Sequence, residues 1–268
     1  MSGAIRSQLS DLNSRAACRV EFHLLQILVK NFELIQYATD SELANAVAEE
    51  WLKEIASVKR CASPHCVALS GGRIARRFFA SAAEQLKGRQ SSLSLLHFFW
   101  ADERCVPPDD AESNFRVARD LLFTPLQIPD EQIHRIRGEE SSDFTVAEAE
   151  AEICRVAPLD ADGQPVLDLI FLGMGEDGHV ASLFPGELES VMAKPAVYRA
   201  VTAAKPPPKR ITMGYRAIAA ARQVWVLASG PGKEEALQES LRPSGETPLA
   251  RVLISRRVTR VFTDIEPG

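Results

Sequence analysis

Apolar residues along this chain fall into two alternating patterns. One is the short, nearly continuous run, as in Cys66-Val67-Ala68-Leu69, Leu93 to Trp100 and Val166 to Leu172, and later in Val197 to Thr202, Gln223 to Ala228 and Val258 to Phe262. Runs of this length, bounded by turn residues, predict strands. Phe32 to Tyr37 alternates and predicts another, and a short strand is expected at Gln132 to Ile136. The second pattern repeats every three or four residues and predicts helices. One runs from Asp40 or Ser41 to about Val58, with Leu43, Val47, Trp51 and Ile55 on one face. Another runs from Arg73 to Leu86, with Ile74, Phe78, Ala82 and Leu86 inward. Further helices are expected at Asn114 to Leu122, Phe144 to Val156, and near 211–221 and 232–241. A strand without a polar face must be covered on both sides. The expected fold is therefore a three-layer α/β/α unit around a mostly parallel, Rossmann-like sheet. In such sheets ligands bind beyond the C-terminal ends of the strands.

Residues 1–30 lie outside this pattern. They read as an N-terminal extension, or as one additional helix packed on the domain. Residues 31–268 read as a single domain, with no repeat and no internal boundary. Pro206-Pro207-Pro208 is too short for a linker and shapes a loop.

With 46% hydrophobic and 25% charged residues in 268, the composition is that of an ordinary globular protein. The net charge of −5 argues against nucleic acid or an anionic membrane as the main partner. It also means that an anionic ligand would require basic residues gathered locally. The cysteines at 18, 61, 66, 105 and 154 form no CxxC pair, so neither a disulfide framework nor a zinc site is expected. Scattered thiols fit a reducing, cytoplasmic compartment. No apolar run approaches the roughly 18 residues of a membrane span, and no signal peptide is evident.

Candidate chemistry gathers at strand ends. Ser70-Gly71-Gly72 follows a strand and precedes a helix. Two glycines allow close backbone approach, and the free N–H groups of a helix start suit a phosphate, although such a turn is more often structural. Asp102-Glu103-Arg104 follows Trp100-Ala101, placing three charges at the ligand edge. Taken alone, this segment reads as a solvated loop with an internal ion pair. Gly173-Met174-Gly175-Glu176-Asp177-Gly178-His179 follows the Val166 strand and sets a carboxylate two residues from an imidazole. Such a pair suits proton transfer at neutral pH; helix capping by the histidine is the alternative. Arg210 beside a helix start, and Lys233 after Ser229-Gly230-Pro231-Gly232, add cations at the same sheet edge. Together these could supply the local positive cluster.

These segments, with Ala181-Ser182-Leu183-Phe184-Pro185-Gly186 and Ser113-Asn114, resemble the 6-phosphogluconolactonase family over residues 32–265. That family shares its fold superfamily with glucosamine-6-phosphate deaminase and ribose-5-phosphate isomerase. The deaminases keep the Asp-Gly-His core but usually continue Ile-Ala-Phe-Asn-Glu-Pro, whereas this chain reads Val180 to Pro185 with no glutamate. The resemblance implies hydrolysis of 6-phospho-D-glucono-1,5-lactone in the pentose phosphate pathway, without a metal or other cofactor. A cytoplasmic monomer or small homo-oligomer is expected. It implies His179 as general base, with Asp177 orienting or tuning it. The Ser70-Gly71-Gly72 turn, Arg104, Arg210 and Lys233 match positions that hold phosphate or substrate oxygens, and Asp102 matches a polar active-site carboxylate. The chain departs from the family at Arg73-Ile74-Ala75, where Ser or Thr and then Pro is usual. Arg73 could replace the hydroxyl with a charged contact, or obstruct the pocket.

Overall fold

The computed structural model of the protein describes residues 31–57, 63–88 and 93–266. The 1–30 extension, Cys18 and Cys61 lie outside the described residues. The chain opens with β1 (Phe32–Gln36), α1 (Asp40–Ser57), β2 (His65–Leu69), α2 (Arg73–Leu86) and β3 (Leu96–Trp100). The central sheet adds β5 (Leu169–Gly173), β8 (Gln223–Ala228) and β9 (Thr259–Thr263). Its order is β1-β9-β8-β5-β2-β3, and every neighbouring pair is parallel. Helices flank it, giving the expected three-layer α/β/α fold. All five residues of β2 are buried, as a strand covered on both faces requires. Inside, Trp51 of α1 meets Phe78 of α2 and Phe171 of β5 at centroid distances of 5.6 and 5.5 Å. Fully burying a large apolar side chain of this kind contributes about 1.5–3 kcal/mol.

A second sheet departs from the expectation. β4 (Asp102–Arg104), β6 (Tyr198–Thr202) and β7 (Lys209–Met213) form an antiparallel sheet in the order β4-β7-β6. The Asp-Glu-Arg segment is thus a strand and not a loop. The helix expected from 211 starts later, as α6 (Tyr215–Ala220), because residues 209–213 are paired as β7. The strand expected at Gln132 to Ile136 is a 3-10 turn at Asp130–Gln132, followed by a single bridge from Ile133 to Phe98. The helix expected at Asn114 is α3 (Asn114–Ala118), which runs on through a π turn at Arg119–Phe123. α4 (Ser142–Val156) and α7 (Glu234–Leu241) match expected helices, whereas the short α5 (Glu189–Met192) and α8 (Pro248–Ile254), the latter capped by Thr247 with Pro248 in its first turn, were not among them. Among the described residues, no helix is long and apolar enough to cross a membrane.

Candidate active site

The sheet order places a topological switch between β2 and β5. From β2 the chain goes to β3 on one side, and later strands fill the other. Crevices form at such points, outside the C-terminal ends of the strands. Here one cleft is lined by Gly71, Gly72 and Arg73 after β2, by Asp102 and Arg104 of β4, and by Gly173, Gly175 and His179 after β5. Arg210 of β7 and Lys233 after β8 complete it. All the strand-end segments singled out from sequence therefore meet in one place.

The loop after β5 is folded around its histidine. Gly175 N–H donates to the His179 carbonyl at 2.9 Å, and Gly178 N–H to the Gly175 carbonyl at 3.1 Å. Gly178 has φ +77°, where side chains are strained. A Cβ on Gly175 would lie 2.1 Å from both Cε1 and Nδ1 of His179, so only glycine leaves room for the ring. His179 Nδ1 lies 2.5 Å from Asp177 Oδ1, which also accepts the His179 backbone N–H at 3.1 Å. Burial pushes the Asp177 carboxyl up, but these hydrogen bonds outweigh it and hold the group below its usual value. An ionised carboxylate can only accept, so Nδ1 is the donor in this pair, and in the neutral tautomer that fits it Nε2 is the acceptor. The alternative of a capping histidine is not met: no helix starts within this loop. The ring also packs on Phe184 at 5.0 Å, and the Arg210 guanidinium sits 5.8 Å from that same ring. Phe184 thus spaces histidine from arginine; only its place in the Ser182-Leu183-Phe184-Pro185 segment marked it in sequence.

Asp102 is 4% exposed, and a buried carboxylate needs donors. Ser182 Oγ donates to it at 2.6 Å and Asn114 Nδ2 at 3.3 Å. Asn114 Nδ2 also donates to the Asp102 carbonyl at 2.9 Å, and its side chain occupies the space a Cβ on Gly71 would need. Gly71 is therefore required by packing beneath the turn, a role separate from any ligand. Neighbouring Glu103 turns away. Its carboxylate accepts backbone N–H groups from Arg104, Asn114 and Phe115 at 2.7–2.8 Å, which anchors the start of α3. Burial pushes its carboxyl up to about 7, against the pull of those three N–H groups. Ser70 Oγ donates to the Phe171 carbonyl at 2.8 Å. Its proton ties β2 to β5, so what Ser70 offers the cleft is oxygen lone pairs and the turn itself.

The cations form two pairs. Arg104 and Arg210 are directly opposite across β4 and β7. Arg104 Nη1 donates to the Glu112 carbonyl at 2.7 Å, and Arg210 donates to the carbonyls of Pro207 and Lys205 at 3.2 and 3.4 Å. Burial, then the charge of Arg104, lowers the Arg210 pKa. The second pair is Arg73 and Lys233. Burial, then the charge of Arg73, lowers the Lys233 pKa. A larger cleft of about 840 Å³ lies elsewhere, beside α4. Its arginines are already matched by carboxylates, Arg135 to Glu139 and Arg155 to Glu152 at 2.6 Å each, and it holds none of the strand-end residues. Among the described residues, no three His, Cys, Asp or Glu side chains are grouped to hold a metal ion.

Residues 38–261 match the family described as glucosamine-6-phosphate isomerases/6-phosphogluconolactonase. The chain belongs to this family. A 6-phosphogluconolactonase of Aggregatibacter actinomycetemcomitans is 35% identical over 236 residues, covering 86% of this chain and 97% of that protein. The solved 6-phosphogluconolactonase of Trypanosoma brucei is 27% identical with a TM-score of 0.76, covering 86% and 95% of the two chains. A monomeric glucosamine-6-phosphate deaminase, 18% identical, superposes with a TM-score of 0.71 over 86% of this chain and 97% of its own, and so shares the fold.

Proposed function

We propose that the chain hydrolyses 6-phospho-D-glucono-1,5-lactone to 6-phospho-D-gluconate in the pentose phosphate pathway, with water activated by His179. It is an enzyme, a carboxylic ester hydrolase like the relatives whose name it shares a family with. The observation that carries the mechanism is His179 in the cation-lined cleft, its Nδ1 fixed by Asp177. Nε2 takes a proton as a water oxygen attacks C1 of the lactone. The C1–O5 bond then breaks, and the ring oxygen takes that proton back from the imidazole. The product is an open-chain acid that ionises to the carboxylate. Charge developing on the C1 oxygen needs N–H groups or cations, and the glycine turns and the Arg104–Arg210 pair are the available donors. The phosphate takes the remaining cations. Asp102, tied by Ser182 and Asn114, accepts from sugar hydroxyls. The lactone is the partner in this reading. Neither nucleic acid nor a membrane takes part, and the protein works in the cytoplasm as a monomer or small homo-oligomer.

The test is acid release from the phospholactone, corrected for spontaneous ring opening, beside a panel with glucosamine 6-phosphate and ribose 5-phosphate. Acid release above background with no deamination or isomerisation is expected. Turnover of glucosamine 6-phosphate in preference to the lactone would overturn the reading.

A further inference from the structure

Arg73 is the first residue of α2, directly after Gly72 with φ +106°. Its guanidinium lies over the loop that follows β8. A Cβ on Gly230 would fall 1.6 Å from Arg73 Nη2, so the arginine can lie there only because Gly230 has no side chain. Gly230 is itself held in place: its N–H and the Ser229 hydroxyl both donate to Asp264, at 3.1 and 3.0 Å. The same loop carries Lys233. Both cations line the cleft of the functional site.

The two cation pairs differ in their partners. Arg104 and Arg210 already donate to carbonyls of the protein. Among the described residues, no hydrogen bond or ion pair engages the side chains of Arg73 or Lys233. The carboxylates whose charge reaches Lys233 are Glu176 and Asp264, and both are committed elsewhere. Glu176 pairs with Lys205 at 3.5 Å, and Asp264 takes the Ser229–Gly230 donors. Two like charges held side by side repel, and an anion between them removes that repulsion. A dianion with several oxygens can meet a guanidinium fork and an ammonium together.

We propose that Arg73 is a specificity-determining residue, forming with Lys233 a two-armed clamp for the dianionic phosphate of the substrate, with Gly230 as the clearance that lets the arginine close. The clamp rests on the phosphosugar reading of the site. It also chooses between the two roles open to Arg73: charged contact, not obstruction.

Inorganic phosphate binding is measured by calorimetry on the wild type, Arg73→Ala and Arg73→Lys, with thermal melts to confirm that each is folded. Hydrogen bonds to charged groups predict about ten- to a hundred-fold weaker phosphate binding in Arg73→Ala. Arg73→Lys should fall between, since it keeps the charge but loses the fork. KM for the phospholactone should rise by a similar factor, and the loss in kcat/KM should be at least about fivefold smaller for unphosphorylated glucono-1,5-lactone than for the phospholactone. Undetectable phosphate binding by the wild type, unchanged or tighter binding by Arg73→Ala, or equal losses on both lactones would each overturn the clamp. A wild type that binds phosphate through Arg73 but does not open the phospholactone would overturn the lactonase reading and still support the clamp.

Discussion

Replacing Asp177 with asparagine keeps the side chain's shape and removes its charge. If the amide turns its oxygen to the ring, Nδ1 retains an acceptor at the position now 2.5 Å away, and the imidazole keeps its orientation. What is lost is the charge assistance, which raises a hydrogen bond from about 1 to about 1.5–3 kcal/mol. The Asp177 side chain is 51% exposed and that of His179 27%, so water screens the pair and a low value applies. A loss of about 0.5–1 kcal/mol corresponds to a kcat about two- to five-fold lower. His179→Ala removes the proton acceptor itself and should cost about 10²–10⁴-fold. KM should change little in either variant, because the cation pairs are intact. The assay is pH-stat titration of the acid released, corrected for spontaneous lactone opening. The pH dependence has a definite sign. Asp177 is held below its usual carboxylate range, so it stays ionised as pH falls from neutrality, and the stability it contributes is lost only below that range. A folded His179→Ala protein with near-normal turnover above background would remove the histidine from the mechanism. Asp177→Asn as severe as His179→Ala would refute a purely orienting carboxylate.

Three further outcomes are expected. Gly175→Ala should displace the His179 ring that its Cβ would meet at 2.1 Å, lowering kcat by on the order of a hundred-fold while inorganic phosphate still binds; unchanged kcat would show that the ring position is not critical. Glu152, bound by Arg155 and His134, has its carboxyl held down at about 2, so the stability it contributes is present above the usual 4.5 and is lost as pH falls from there toward 2. With screening of this half-exposed pair counted, that is about 1 kcal/mol, and chemical denaturation of Glu152→Gln against pH should show a correspondingly flatter acid slope than the wild type. We also propose that residues 31–268 form the folding unit: a chain beginning at Asn31 should melt and turn over like the full chain, and aggregation or a large drop in melting temperature would assign residues 1–30 to the domain.

The elements legible in the sequence were those whose signal is local. α2 was placed to the residue because one face of Arg73 to Leu86 carries Ile74, Phe78, Ala82 and Leu86, all of them buried. The His179 loop was legible because its glycines, acid and imidazole are neighbours in the chain. β4 was not, since Asp102-Glu103-Arg104 carries charges where a strand normally carries apolar residues. Asp102 and Glu103 are 4% and 2% exposed because their donors arrive from elsewhere: Ser182 for one, the start of α3 for the other. A charged tripeptide whose partners come from distant segments looks identical to a solvated loop until those segments are placed. β7 was hidden in the same way, as its Lys209-Arg210 end owes its strand geometry to pairing with Arg104 and Thr202. Arg73 is the sharpest case. Read locally, an arginine after a glycine pair could equally fill or feed a pocket. What decides between these is Gly230, far along the chain, whose missing Cβ gives the guanidinium its place, and the commitment of Glu176 and Asp264 to other donors. The chemistry of this cleft is written in short motifs, but the partners each charged group has, or lacks, are set by the parallel strands β2, β5 and β8 ending side by side beneath it.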